Sequence, residues 1–153
     1  MKLSTKGRYA VMAMMDLALN DKKALLPLAD LSLAQDISIS YLEQLFAKLR
    51  TAELVAGVRG PRGGYRLARP AAQITLAHIV KAVDEKADPS LTVVPDHIET
   101  RRRTLNGLWL GISREIYDFL DGITLEQAVR EAGIRGATSQ QATAANAGAT
   151  VYG

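Results

Sequence analysis

The side chains that could do chemistry in this chain are concentrated between Ser38 and Arg69. The segment SISYLEQLFAKLR has the apolar spacing of an amphipathic helix and leaves short polar side chains on its other face. On that face Gln44 could bond to an adenine edge, and Glu43 could accept a hydrogen bond from the amino group of cytosine. Ser38 and Ser40 could bind phosphates or base edges. These residue types suit the recognition of nucleic acid.

A turn rich in glycine and arginine follows this helix, between two short apolar segments. Arg59 stands directly before Gly60 and Pro61, and Arg62 lies inside the turn. A small loop that carries guanidinium groups fits the narrow and strongly negative minor groove of DNA. A recognition helix followed by such a hairpin is typical of a winged helix-turn-helix, and it favours DNA reading over catalysis.

Each of these features also has a simpler interpretation. Ser40 and Glu43 could only cap their helix while Gln44 is solvated, and the wing could be an ordinary hairpin with solvated arginines. For the helix alone, capping and solvation are favoured over DNA contact. For the hairpin alone, DNA contact and simple solvation of the arginines are equally favoured. The succession of helix and wing favours DNA reading.

Other side chains could contact the phosphate backbone, which positions a protein without specifying sequence. They are Lys2, Thr5, Lys6, Arg8, Lys48 and Arg50, while Tyr41 shares the polar face of Gln44. The run Arg101-Arg102-Arg103 is interpreted as a solvated, partly ion-paired face.

Patterns for catalysis and metal binding are weak. No Ser–His–Asp pattern, phosphate loop or dinucleotide fingerprint is present, so we predict no catalytic residue and no enzyme activity. The sequence contains no cysteine, which excludes disulfides and cysteine-ligated metal sites. His78, beside core positions of a helix, is interpreted as structural. His97, beside Asp96 and Glu99, is a weak alternative metal ligand.

Three helices are predicted before the wing. Ser4 is the expected N-cap of a largely buried helix, Ser4–Asn20, and Leu28–Asp36 is a second helix. Its inward residues are predicted to be Leu28, Leu31 and Ala34. After a tight turn at residues 37–39, Ser40 and Glu43 are predicted to form a capping box. The buried stripe of this third helix is predicted to be Leu42, Leu45, Phe46 and Leu49.

The wing strands are predicted at Leu54–Val58 and Tyr65–Leu67, and the turn between them uses the glycines at positions 60, 63 and 64. Thr75 is the expected cap of the next helix, Leu76–Asp84. Its inward residues are predicted to be Leu76, Ile79, Val80 and Val83.

The second half of the chain is predicted to hold a loop at residues 86–97 and a long helix, Ile98–Leu120. The apolar stripe of that helix consists of Leu105, Leu108, Trp109, Ile112, Ile116 and Phe119. It offers more surface than a small winged domain can cover, so a dimer interface is expected. Thr124 and Gln127 are predicted to cap a last short helix that ends at Gly133. Residues 136–153 are predicted to be disordered.

Charge and hydropathy place the basic side chains in the first half. Residues 1–70 hold 11 Lys and Arg against 6 Asp and Glu, whereas residues 71–153 hold 8 against 10. No apolar run approaches the roughly 18 residues of a membrane span. The N-terminus begins like a signal peptide, but Arg8 and Asp16 interrupt it, so we expect a cytoplasmic protein that does not contact membranes.

Four segments carry a resemblance to a known family: MKLSTKGRYAVMAMMDLAL, SISYLEQLFAKLR, VRGPRGGYRLAR and ITLAHIVKAVDE. They closely resemble the Rrf-two-type winged-helix regulators, and within them the regulators of iron–sulfur cluster assembly. The resemblance implies a homodimer whose long helices cross, and control of iron–sulfur biogenesis genes. It also implies that Ser38, Ser40, Glu43 and Gln44 read the major groove while Arg59 enters the minor groove.

The sequence departs from the family at the residues that bind an iron–sulfur cluster, which is the family's sensor. The resemblance implies that cluster-binding members use three cysteines and one histidine in the loop before the long helix. The matching positions fall near Leu91, His97, Arg103 and Asn106, and none of these is a cysteine. Iron–sulfur clusters are held mainly by thiolates, so no cofactor is predicted.

The expected fold is mainly α with a small β-wing: a winged helix-turn-helix plus a long C-terminal dimerisation helix. The predicted units are a DNA-binding domain (1–86), a loop that is the sensor loop in the family (87–97), a dimerisation helix with a short terminal helix (98–135), and a tail (136–153). The expected function is dimeric, sequence-specific regulation of transcription at a pseudo-palindromic duplex site. Alternatives are a regulator of cysteine or sulfur metabolism controlled by a partner protein, and a metal-binding protein that uses His97.

Overall fold

The structure is a computed structural model that describes residues 4–20, 25–84 and 100–133, with side chains described from residue 104 onward in the last range. The helices are α1 (Thr5–Leu19), α2 (Leu28–Gln35), α3 (Ile39–Thr51), α4 (Leu76–Val83), α5 (Thr100–Asp121) and α6 (residues 125–133). The strands are β1 (Val55–Val58) and β2 (Gly64–Leu67), and a 3-10 turn covers Ala71–Gln73. The mainly helical fold with a small β-wing is as predicted.

Helix α1 packs mainly against α4 and also contacts β2 and α2. Its N-cap is Ser4, as predicted, since the Ser4 hydroxyl accepts a hydrogen bond from the Gly7 amide at 3.1 Å. The face toward the core consists of small and flexible side chains: Ala10, Ala13, Met14 and Leu17. Gly7, one turn before Ala10, is also buried, and a Cβ there would lie 3.5 Å from the Val80 side chain of α4.

The connection between α2 and α3 differs from the prediction. Asp36 ends α2 in the left-handed conformation, with φ of 53°, and the buried Ile37 follows it. Ser38 is therefore the first extended residue and becomes the N-cap, its hydroxyl accepting from the Tyr41 amide at 3.3 Å. The predicted N-cap, Ser40, is wrong by two residues, and the predicted turn at residues 37–39 is too long by one, because α3 already begins at Ile39. The predicted Ser40–Glu43 capping box is replaced by the single hydrogen bond to the Ser38 hydroxyl.

The inward face of α3 was predicted correctly, whereas that of α2 was predicted only in part. Ala34 is exposed rather than buried, because α2 contributes mainly Leu31 to the core. The predicted stripe of α3 is confirmed, and its four members, Leu42, Leu45, Phe46 and Leu49, are all buried. This stripe holds the opposite, polar face of α3 toward solvent.

The predicted wing is confirmed, with β1 antiparallel to β2 and Val55 opposite Leu67. A short bridge adds Leu26 to the sheet, since Leu26 and Tyr65 exchange two backbone hydrogen bonds of 3.0 and 2.9 Å. Gly64 lies beside this bridge. A Cβ there would come within 2.7 Å of the Leu26 carbonyl, so the close approach requires glycine.

Helix α4 begins at the predicted cap, Thr75. The residue three positions on is His78, whose ring accepts from the Thr75 amide and completes a capping box, so the structural role predicted for this histidine is observed. Leu76, predicted inward, is half-buried, and Ala77 takes its place in the core. α6 begins at the predicted Thr124–Gln127 cap, and its predicted last residue, Gly133, is also the last described residue.

Several predictions fall outside the described residues. They concern Lys2, His97, the loop at 86–97 and the tail at 136–153. Within the part that is described, no helix is both long and apolar enough to cross a membrane.

Candidate nucleic-acid interface

The polar face of α3 is open to solvent along its first turns. Ser40, Glu43 and Gln44 are exposed, as a helix that enters a major groove requires. Ser38 is also exposed, and its hydroxyl oxygen caps the helix while its hydrogen stays available for donation. The four residues predicted to read base edges thus lie together at the N-terminal end of α3.

Tyr41 and Lys48 differ from these exposed residues, because both are half-buried and have partners within the protein. The Tyr41 ring meets the Tyr9 ring edge-on, with 5.9 Å between their centroids. The guanidinium of Arg8 lies 5.3 Å from the Tyr9 ring centroid. This row of contacts joins the start of α1 to α3, and the sequence spacing did not reveal it.

Lys48 extends from α3 toward the end of α4. Its ammonium donates a hydrogen bond to the Val83 carbonyl at 3.3 Å. Lys48 also lines a cleft of about 510 Å³ together with Ser4, Thr5, Lys6 and Tyr41. Three predicted phosphate contacts, Thr5, Lys6 and Lys48, therefore border one cleft between α1, α3 and α4, although Lys48 is far from the other two in sequence.

The turn of the wing presents its arginines to solvent. Arg59 and Arg62 are both exposed, and Gly60 between them has a φ of +116°, which L side chains rarely adopt. A Cβ on Gly63 would lie 2.2 Å from the Val58 carbonyl oxygen, so the turn is closed too tightly for any side chain there. The glycines predicted for the turn are thus needed for its shape.

The wing is attached to α3 by an aromatic contact. The Tyr65 ring on β2 lies 4.7 Å from the Phe46 ring, measured between centroids. Because Phe46 is fully buried in α3, the base of the wing is held against the core side of this helix. The two parts of the predicted interface, the polar face of α3 and the wing, are therefore in direct contact through these rings.

Arg69 is a positioning residue that sequence reasoning missed. Its guanidinium donates to the Ala52 and Glu53 carbonyls, each at 3.3 Å, at the C-terminal end of α3. Glu53 has a φ of 58°, so the helix ends in a left-handed residue without glycine. A cation at this end also complements the helix dipole. The sequence has no glycine directly after α3, where a left-handed cap residue would normally be one. This was the available signal that another group must bind the last carbonyls of the helix.

The residues of the candidate metal site lie outside the part of the chain that the structure describes. These are His97, Asp96 and Glu99, and Leu91 and the side chains of the arginine run at 101–103 lie outside it as well. Asn106, the remaining position expected near a cluster, is exposed on α5. Among the described residues no group of three or more His, Cys, Asp or Glu could hold a metal.

Comparison with known proteins decides the family. The family model Rrf2, described as an iron-dependent transcriptional regulator, matches residues 3–131. The chain belongs to the Rrf2 family. This Rrf2 protein is 49% identical over 132 residues to the HTH-type transcriptional regulator IscR of Vibrio vulnificus, covering 86% of the chain and 79% of that protein. It is 44% identical over 144 residues to IscR of Pectobacterium atrosepticum, covering 94% and 88%.

Solved structures agree with this assignment. The Rrf2 chain matches CymR, the global cysteine regulator of B. subtilis, with a TM-score of 0.71 and 33% identity, covering 86% of this chain and 98% of that one. It matches T. potens IscR with a TM-score of 0.68 and 36% identity, covering 86% and 88%. The predictions of a winged-helix regulator and of a non-enzyme are confirmed: this Rrf2 protein is a DNA-binding transcriptional regulator.

The donor set of this Rrf2 protein does not fit an iron–sulfur cluster. Such clusters are held mainly by cysteine thiolates, and the whole sequence contains none. The DNA-reading half of an iron-dependent family is therefore present without the ligands for a thiolate-bound cluster.

Proposed function

We propose that this chain is a cytoplasmic, homodimeric regulator that represses or activates transcription at a pseudo-palindromic duplex site. The observation that carries the proposal is the contact of Phe46 with Tyr65, because it joins an exposed polar helix face to an arginine-bearing wing. The winged domain (1–86) would read DNA, and the unit at 98–135 would pair two copies.

The proposed base contacts come from the N-terminal half of α3. Ser38, Ser40, Glu43 and Gln44 would lie in the major groove, with Tyr41 at its edge. Their exposure supports this assignment. Their short side chains require the helix axis to approach the bases closely.

The wing would contact the adjacent minor groove. Arg59 would enter it and Arg62 would lie at its rim, since narrow minor grooves attract guanidinium groups through their negative potential. Neither side chain is buried, so both can move to meet DNA.

The phosphate contacts would surround this reading surface. Lys6 and Thr5 border the same cleft as Lys48, and Arg8 lies beside Tyr9 at the start of α1. Lys2 would extend the same basic region, although it lies outside the described residues. These contacts would set the register and the salt dependence of binding.

The dimer interface would be the apolar face of α5. In the single chain Leu108, Trp109 and Phe119 are 64%, 62% and 69% exposed. Large apolar side chains in one stripe are rarely left to solvent, and a second copy would cover them symmetrically. A twofold dimer places two recognition helices about one turn of DNA apart, which is why a pseudo-palindromic site is expected.

The resemblance to IscR proteins supports control of iron–sulfur biogenesis genes. Without thiolates, the chain would act as a cluster-free form does, or respond to a signal from elsewhere.

Anisotropy titrations test the function directly. Wild-type protein is titrated with duplexes selected from a random-sequence pool and with unselected duplexes, at physiological salt. We expect the selected duplexes to bind about 10³-fold tighter or more, the lower end of specific recognition. Equal affinity for both would refute sequence-specific regulation.

A second candidate is a regulator of cysteine or sulfur metabolism controlled by a partner protein. It is favoured by the similarity to the cysteine regulator CymR and by the missing cluster ligands. A pull-down with the full chain, followed by DNA titrations with the recovered protein and with sulfur metabolites, tests it. No partner and a constant DNA affinity would count against this candidate.

A further inference from the structure

The start of α4 is joined to the corner between α5 and α6 by a short backbone ladder. The Leu76 amide donates to the Ile123 carbonyl at 2.9 Å, and the Leu125 amide donates to the Ile74 carbonyl at 2.7 Å. These two bonds form an antiparallel bridge at Thr75 and Thr124. The ladder connects the winged domain to the end of the long helix.

The Thr75 side chain also connects the two sides of this junction through a hydrogen bond. The Thr75 hydroxyl donates to Asp121 at 2.9 Å while it accepts from the His78 amide at 3.2 Å. His78 accepts from the Thr75 amide through Nδ1 at 3.2 Å, which leaves Nε2 facing the same Asp121 oxygen at 4.0 Å. We call Thr75, His78 and Asp121, with the backbone ladder, the α4–α5 clasp.

The clasp holds α5 at one end only. Asp121 is the last residue of α5, whereas the exposed apolar stripe begins far from it, at Leu105. The 22 residues of α5 span about 33 Å at about 1.5 Å per residue. A rotation of about 10° at the clasp would move the far end by about 6 Å, nearly two base-pair steps of about 3.4 Å.

Apolar packing alone tolerates such rotations better than directed hydrogen bonds do. α5 also packs on α4. Along α5, Ser113 is buried and Ile116 is half-buried. The hydrogen bonds of Thr75 with Asp121 and His78, and the two bonds of the backbone ladder, have preferred directions. They therefore restrict the angle between α5 and the winged domain.

We propose that the α4–α5 clasp positions the reading domains of the dimer and thereby selects the spacing between the two DNA half-sites. Thr75, His78 and Asp121 act as positioning residues, since they lie on the junction and not on the polar face of α3. This inference rests on the proposed dimeric function.

Spin-label distances in the full-length dimer test the inference without knowledge of the operator. Because the sequence has no cysteine, Leu33→Cys introduces one labelling site, on an exposed position of α2. We expect one narrow distance distribution between the two labels in this background. Adding Asp121→Ala should broaden or shift it, because the Thr75 hydroxyl loses its acceptor and only the backbone ladder of the clasp remains.

The matched control is Glu126→Ala. Glu126 pairs with Arg130 at 3.2 Å on the surface of α6, so its removal deletes a nearby carboxylate without touching the clasp. It should leave the distribution unchanged. Thr75→Ser keeps the hydroxyl and should also keep it, whereas His78→Gln retains a capping box but loses the ring that faces Asp121. The His78→Gln distribution should therefore broaden.

DNA binding supplies the second measurement. A selected duplex is compared with versions that have one base pair more or fewer between the half-sites, and with an isolated half-site. Asp121→Ala should reduce the spacing preference roughly fivefold or more, a coupling of ordinary size, and leave half-site affinity unchanged. A parallel melting curve shows that the variant is folded.

The outcomes separate the two proposals. If the labels show no inter-copy distance, or the wild type has no spacing preference, the proposed dimeric reader is wrong and the inference fails with it. If the wild type shows both and Asp121→Ala keeps them, the inference alone is overturned.

Discussion

The rings of Phe46 and Tyr65 lie 4.7 Å apart at an interplanar angle of 59°, and they join α3 to the wing. Phe46 belongs to α3 and is fully buried, whereas Tyr65 belongs to β2 and is half-buried. Tyr65→Ala should lower the free energy of unfolding by about 2–3 kcal/mol, below the cost of truncating a fully buried ring. Urea denaturation measures this, and Tyr65→Phe, which keeps the ring, is the control. An unchanged midpoint for Tyr65→Ala would contradict the role given to this contact.

The wing turn should not tolerate a side chain at Gly63. A Cβ there would meet the Val58 carbonyl oxygen at 2.2 Å, so the backbone must move. Gly63→Ala should cost about 1–3 kcal/mol of stability, as overpacking does, and should weaken DNA binding through the displaced wing. Gly107→Ala on α5 is the contrast, because nothing lies within 4 Å of its added Cβ. It should gain up to about 1 kcal/mol from helix propensity. Equal stability of the two variants would refute the argument.

Arg59 and Lys48 should affect DNA binding differently. Arg59→Ala should cost about 1–3 kcal/mol and relax sequence preference, since the minor-groove contact is lost. Lys48→Ala should weaken binding to all duplexes alike and reduce the slope of log affinity against log salt by about 1. Anisotropy titrations at several salt concentrations separate the two. The minor-groove role is wrong if Arg59→Ala binds as the wild type does.

The apolar face of α5 should control the association of two copies. Leu108→Glu places a charge among exposed large apolar residues, and burying an unpaired charge in an interface is strongly unfavourable. We expect monomers by sedimentation, whereas Asp118→Ala, at another exposed position of α5, should leave the dimer intact. A Leu108→Glu protein that stays dimeric would place the interface elsewhere.

DNA affinity should be independent of iron. The sequence has no cysteine, so protein purified without oxygen should be colourless and should bind its duplex equally before and after chelation. Metal analysis and parallel titrations check both statements. Cluster absorption, or an affinity that falls on chelation, would show that ligands other than thiolates bind iron and would revive the hypothesis of a site at His97.

Local patterns predicted much of the reading surface. The burial of Leu42, Leu45, Phe46 and Leu49 follows from helical spacing, and this burial alone requires Glu43 and Gln44 to face outward. The N-cap of α3 was misplaced because two serines, Ser38 and Ser40, compete for it. The burial of Ile37, a tertiary effect, decides in favour of Ser38.

Contacts between distant segments could not be predicted in this way. Arg69 binds carbonyls at the end of α3, although the sequence analysis gave it no role. Lys48, which was predicted only as a phosphate contact, donates to the Val83 carbonyl. A long cation has many partners within reach, and only the packed backbone selects one. The same holds for Thr75 and Asp121, which are separated by 46 positions.

The sequence by itself determined the family, the order of helix and wing, the apolar stripe of α5 and the absence of thiolate ligands, because these depend on residue type and periodicity. Only the tertiary structure decided which cap begins α3, which cations are held by carbonyls, and how α4 is clasped to the end of α5. Those features depend on distances between segments, and such distances arise only when the core has packed.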